Sequence, residues 1–155
     1  MPLTDAEIIL GAVAYFDVAT LNADPRLTIK GAVVDLGDGT RGVQPLTRDG
    51  PCVCVERQAD QATWTPVTNR EQAKFKRLRI QKSWVIDGYD ELGAGESFLQ
   101  DGANTYAGPV ACFIAAAAGE TPFGSRKRPT ITPEGLAAIR EEIDKQQPRA
   151  RVLKR

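Results

Sequence analysis

Apolar positions change period several times along the chain, and each change marks a predicted element. Thr4-Asp-Ala-Glu7 has the form of a capping box, in which a hydroxyl caps the first turn and a carboxylate reaches back. Ile9, Val13 and Phe16 then fall on one stripe, which predicts a helix from about 5 to 20, ended by Asn22-Ala-Asp-Pro25. Residues 27–36 read as a strand whose apolar phase shifts at Gly31, the mark of a bulge. Gly37-Asp-Gly-Thr40 predicts a hairpin turn with a returning strand over 41–46. Cys52–Arg57 reads as a short strand with Val53 and Val55 on one face and both cysteines on the other. Residues 58–67 read as polar loop around Trp64.

Thr68-Asn-Arg-Glu71 repeats the capping form and predicts a short helix to about 75. Leu78, Ile80, Trp84 and Ile86 alternate with polar and basic residues, predicting a strand with one apolar face. A long acidic connection spans 87–108. Pro109 and Gly119 bracket the apolar run Val110–Ala118, whose alanines favour a buried helix while Val110, Phe113 and Ile114 leave a buried strand open. Thr132 caps a last helix to about 147, with Pro133 at its first position and a stripe of Leu136, Ile139 and Ile143. The pattern predicts an α+β fold. Its core is a small, mainly antiparallel β-sheet or barrel, with an N-terminal helix, a short middle helix and a C-terminal helical arm. Residues 1–119 read as one domain, and 120–155 as linker, C-terminal helix and basic tail.

The chain has 155 residues, 42% of them hydrophobic and 26% charged, enough to bury a core without metals or disulfides. Twenty basic and twenty acidic residues cancel, which argues against a general polyanion binder. The charges are nevertheless sorted. Residues 70–82 carry six bases against Glu71, residues 83–120 carry six acids and no base, and residues 121–155 carry nine bases and four acids. Asp5 and Glu7 stand where a signal peptide has basic residues, and no apolar run reaches membrane-spanning length. The expected setting is cytoplasm or a virion, without membrane contact.

Candidate chemistry is sparse. The chain has no histidine, which removes Ser-His and Cys-His nucleophiles and histidine metal ligation. Gly37-Asp-Gly-Thr-Arg-Gly42 matches G-x-G-x-x-G, but Pro45, Gly50 and Pro51 follow where the fingerprint needs a helix, so it reads as a turn. Cys52, Cys54 and Cys112 fall one short of a closed zinc site and read as core thiols, with disulfides between subunits as a lesser alternative. Asp87, Asp90, Glu91 and Glu96 lack the EF-hand spacing and read as an exposed acidic loop. No enzyme activity and no cofactor are expected.

Ile131-Thr-Pro-Glu-Gly-Leu-Ala-Ala-Ile-Arg-Glu-Glu-Ile143 resembles the opening of the coiled-coil domain of Gre-type transcript-cleavage factors over thirteen residues. In that family a second antiparallel helix bears an acidic tip; none follows here, and no function is carried over.

What remains is complementarity between an acidic connection and basic ends. It points to a structural subunit that contacts copies of itself and neighbouring structural proteins, as a virion component of the tailed-phage neck, tail or capsid-associated kind. The residues expected at such contacts are Arg70, Lys74, Arg77, Arg79, Asp87, Asp90, Glu91, Leu136, Ile139, Ile143, Arg149, Arg151 and Arg155. The alternative is a small nucleic-acid-binding module that uses the basic strip 70–82 for phosphate contact.

Overall fold

The computed structural model describes residues 3–43, 45–46, 49–68, 78–86, 97–99, 103–117, 128–146 and 150–153. Twelve strands and three α-helices are assigned among them. The strands are β1 Val13–Phe16, β2 Thr28–Gly31, β3 Val34–Asp35, β4 Arg41–Gly42, β5 Gly50–Gln58 and β6 Gln61–Thr68. They continue with β7 Arg79–Ile80, β8 Val85–Ile86, β9 Ser97–Leu99, β10 Thr105–Pro109, β11 Thr130–Ile131 and β12 Ala150–Leu153. The helices are α1 Val18–Ala23, α2 Val110–Ala116 and α3 Pro133–Lys145. The architecture is mixed α+β around a mostly antiparallel sheet, with N-terminal, middle and C-terminal helices, as the pattern predicted.

The main sheet runs β1-β5-β6-β10-β2-β12, with β9 adding to β6 and β7 to β9. Its centre is the β5–β6 hairpin, turned at Ala59, which takes a positive φ of 53°. Cys52, Cys54 and Trp64 enter one apolar cluster, and Val53, Val55 and Val67 the other. Both faces of the hairpin are therefore buried. On the first face Phe16, Trp64 and Phe113 form an aromatic cluster, with Phe16 edge-on to Trp64 at 4.9 Å between centroids. Helices α1 and α2 pack against each other on this face, and a 3-10 turn at Asp5–Glu7 also contacts α2. On the second face α3 docks through Leu136 and Ile139, with Ile143 packed against the same cluster.

Four expectations differ from the structure. The N-terminal helix begins at Val18, not near residue 5. Glu7 Oε1 does accept the Thr4 backbone N–H at 3.0 Å, but only a 3-10 turn follows. Gly11 breaks the stripe with a positive φ of 86°, where a Cβ would sit 2.5 Å from the Ile131 carbonyl oxygen, and the β-branched and aromatic Val13–Phe16 form a strand. The supposed loop around Trp64 is strand β6, with Trp64 fully buried. The strand over 78–86 is divided by a 3-10 turn at Lys82–Trp84. The strand over 27–36 leaves the sheet after Gly31, where a Cβ would lie 1.9 Å from Asn104 Oδ1, and resumes as the separate β3–β4 hairpin. Val110–Ala116 is helical, which resolves the helix-or-strand alternative. The short helix predicted to about 75 lies outside the described residues, apart from Thr68.

Buried polar groups are tied across elements. Tyr106 on β10 donates from its hydroxyl to Asn22 Oδ1 at 2.8 Å and accepts the Leu46 N–H at 2.8 Å. Asn22 Nδ2 donates to the Leu46 carbonyl at 2.9 Å. The triangle pins α1 and the 45–46 segment to the sheet. Arg140 Nε on α3 donates to the Val55 carbonyl at 2.9 Å, at the bulge between Cys54 and Glu56. Tyr106→Phe leaves the Leu46 N–H and Asn22 carbonyl short of a partner, so chemical denaturation is expected to show a loss of about 1–3 kcal/mol. Gly135 lies under Trp84, where a Cβ would come within 2.6 Å of the Trp84 Cβ. Gly135→Ala is expected to lower the unfolding midpoint despite the better helix propensity of alanine.

Candidate functional site

The outward side of the α1–α2 layer is the most unusual surface among the described residues. Neither helix carries a charged side chain. Val110–Ala116 has no polar residue apart from Cys112, so the face turned from the core is as apolar as the buried one. Val110, Cys112, Phe113 and Ala116 point inward. Ala111, Ile114 and Ala115 are exposed, as is Ala19 on the adjoining helix. Ile9 and Leu10 follow the 3-10 turn that packs on α2 and stay 55% and 48% exposed; Ile114 is 37% exposed. Local capping explains how so short and uncharged a helix as α1 holds: Asp17 accepts the Thr20 N–H at 3.2 Å and Asp49 the Val18 N–H at 2.9 Å.

Charges at the rim of this layer are spent on structure. Beside α1 an open hollow is lined by Ala19, Thr20, Ala23, Asp24, Pro25 and Arg26. Arg26 Nε and Nη2 bond Asp24 at 3.1 and 3.0 Å, and this guanidinium holds the Asp24 carboxyl at about 2. At the other end Arg57 donates to the Ile8 carbonyl at 3.0 Å and to Asp5 Oδ1 at 2.8 Å, fixing the 3-10 turn. Arg128 bonds Glu7 Oε2 at 2.8 Å. Burial pushes Glu7 upward, but hydrogen bonds from Thr4 and Arg128 outweigh it and leave the carboxyl below its ordinary value.

The second surface is an edge. The outer side of β1 is met by chain at both ends. Ala12 bridges Thr130 and Phe16 bridges Ala117, and the Ile131 and Asp17 N–H groups bond the Gly11 and Ala116 carbonyls at 2.7 and 2.8 Å. At the opposite side the sheet ends in β12, antiparallel to β2 with Ala150 opposite Gly31 and Leu153 opposite Thr28. No further described strand pairs with β12.

The structure places few of the contact residues expected from sequence. Arg70, Lys74, Arg77, Asp87, Asp90, Glu91, Arg149 and Arg155 lie outside the described residues, and with them most of the basic strip and the acidic connection. Arg79 is exposed on β7. Arg151 occupies a register position on β12 opposite Lys30. Leu136, Ile139 and Ile143 come together on one face of α3, but against the sheet of their own chain, with Ile139 fully buried. Sequence reasoning missed Ile9, Leu10 and Ile114 because it placed the first two in a predicted N-terminal helix and the third in a buried run, helix or strand; the absence of any polar residue on the outer face of α2 was the available signal.

All three cysteines are free and buried. Burial raises the Cys54 and Cys112 thiols to about 11 and Cys52 further still. No cluster of three His, Cys, Asp or Glu side chains suited to a metal occurs among the described residues, and no described helix is long and apolar enough to cross a membrane. The chain matches no protein-family model, no curated protein and no solved structure.

A thiol reagent at pH 8 is expected to leave the native protein unlabelled on the timescale in which the denatured chain reacts at all three cysteines. The pH dependence follows in sign. A folded thiol raised above its ordinary 9.0 retains protons that the unfolded chain releases, so its contribution to stability is full below pH 9 and is lost as pH rises toward about 11. Urea midpoints measured between pH 7.5 and 10.5 should therefore fall only above pH 9.

Proposed function

We propose that this chain is an assembly subunit, a structural component that acts through contacts with copies of itself and with neighbouring structural proteins. The observation that carries the reading is the uncharged, apolar outer side of α2, where Ala111, Ile114 and Ala115 stand exposed, with Ile9 and Leu10 exposed just after the 3-10 turn that contacts this helix. Exposed apolar side chains grouped on one layer mark surfaces that partners cover, because leaving them in water forfeits about 25 cal/mol per Å². Near-zero net charge supports the same reading, since it removes the repulsion that keeps copies apart. The setting we propose is a virion part of the tailed-phage neck, tail or capsid-associated kind, by analogy with small, neutral α+β subunits in such particles.

Light scattering after size exclusion is expected to give a discrete mass that is a multiple of 16.8 kDa. A clean monomer at high protein concentration sinks the reading. Ile114→Glu is expected to shift that mass toward the monomer while changing the unfolding free energy by less than about 1 kcal/mol, the range of a surface substitution.

A further inference from the structure

We propose that Asp38, at the tip of the β3–β4 hairpin, is a site of spontaneous backbone modification, where the Asp38–Gly39 link passes through a succinimide to isoaspartate. The inference is independent of the assembly reading.

The reaction joins a side-chain carboxyl to the amide that follows it. The Gly39 nitrogen attacks the protonated Asp38 carboxyl carbon. A C–N bond forms and closes a cyclic imide, the C–OH bond breaks, and the hydroxyl leaves with the amide proton as water. Solvent water then reopens the imide. Addition at the side-chain carbonyl restores aspartate, whereas addition at the main-chain carbonyl leaves the chain running through Cγ as isoaspartate. Water is the only other reactant.

The hairpin tip meets the steric demands of this step. Strands β3 and β4 are two residues each and pair only with each other among the described residues. Gly37, Asp38, Gly39 and Thr40 are all exposed. Gly37 and Gly39 take positive φ values of 84° and 88°, and a Cβ on either would meet no atom within 4 Å. Gly39 has no side chain to shield its nitrogen, and the open space around the tip lets the backbone turn. Asp38 Oδ1 accepts the Thr40 N–H at 3.0 Å and the Thr40 hydroxyl as well. The ring that the N–H bond closes runs through the Gly39 nitrogen, so the carboxyl carbon is folded back toward the peptide that attacks it.

The fold separates this pair from one with identical chemistry. Asp-Gly occurs four times in the chain, at Asp38, Asp49, Asp87 and Asp101, and the last two pairs lie outside the described residues. Asp49 is exposed, but its Oδ1 accepts the Val18 N–H at 2.9 Å, and Gly50 is buried as the first residue of β5, opposite Phe16. An imide at Asp49 therefore requires β5 to peel from β1, and one at Asp38 does not.

The test ages the full native chain at pH 6, digests it with trypsin and maps isoaspartate by enzymatic carboxyl methylation of the peptides. Cleavage after Lys and Arg places Asp38 in peptide 31–41, Asp49 in peptide 49–57 and the other two Asp-Gly pairs in peptide 83–126. Peptide 31–41 is expected to hold at least about tenfold more isoaspartate than peptide 49–57, because conversion at Asp49 waits on local opening. A chain aged in urea should lose this difference. Asp38→Glu should remove the signal from 31–41 and leave the other peptides unchanged; a signal that persists comes from Asp35 and overturns the proposal. Equal conversion of 31–41 and 49–57 in the native chain also overturns it. So does a native 31–41 peptide without isoaspartate over a period in which the chain in urea accumulates it there.

Discussion

Burial of the β5–β6 hairpin on both faces is the constraint from which the rest of the architecture follows. A strand covered on one side only can alternate apolar and polar residues, but here Cys52 and Cys54 alternate with Val53 and Val55, and all four are buried. Two covers are then needed. One is the α1–α2 layer over the aromatic cluster; the other is α3, whose Leu136 and Ile139 share a cluster with the valines, Ile80 and Leu99. The thiols are raised for the same reason that the valines are dry, and no separate chemical role is required to explain three buried cysteines. Trp64 shows the cost of this arrangement: its ring anchors the first cluster, yet its Nε1 finds no acceptor among the described residues.

Polar groups inside the molecule are spent on holding these covers in register. Arg57, Arg128 and Arg140 each bridge segments far apart in sequence, to Ile8, Glu7 and Val55 respectively. Tyr106 does the same without charge by receiving and donating at one oxygen. Part of the charge that sums to zero is thus engaged in internal clasps. This alters the meaning of the charge blocks read from sequence. A base such as Arg128, counted in a basic tail region, is an anchor for the N-terminal turn, and its bond to Glu7 spans 121 positions.

Elements set by local chemistry were legible in the sequence. Thr132 and Pro133 announced the start of α3, Gly37-Asp-Gly-Thr40 announced the β3–β4 turn, and the alternation at 52–55 sorted thiols from valines correctly. Elements set by tertiary contact were not. Nothing local to Gly11 states that the Ile131 carbonyl occupies the space of its missing Cβ, and without that fact Ile9, Val13 and Phe16 fit a helix. Trp64 was hidden by threonine and glutamine neighbours whose pairing partners lie on β5 and β10. Of the expected contact residues, the α3 stripe was recognised as a stripe, but an apolar stripe does not say whether it docks on its own sheet or on another's.

The surfaces left for association are of the kinds that charge patterning registers least. An apolar helix face shows in sequence only as an excess of alanine and isoleucine, indistinguishable from a buried run until one side of α2 is seen to be uncovered. A sheet edge shows not at all, because its recognition groups are backbone N–H and C=O, common to almost every residue. Main-chain ladders impose register and direction but little selectivity, whereas an apolar face contributes affinity and little orientation. In a chain of zero net charge, with ion pairs such as Arg128–Glu7 and Arg57–Asp5 closed within the molecule, an exposed apolar face such as that of α2 is the feature on which the proposed association can draw.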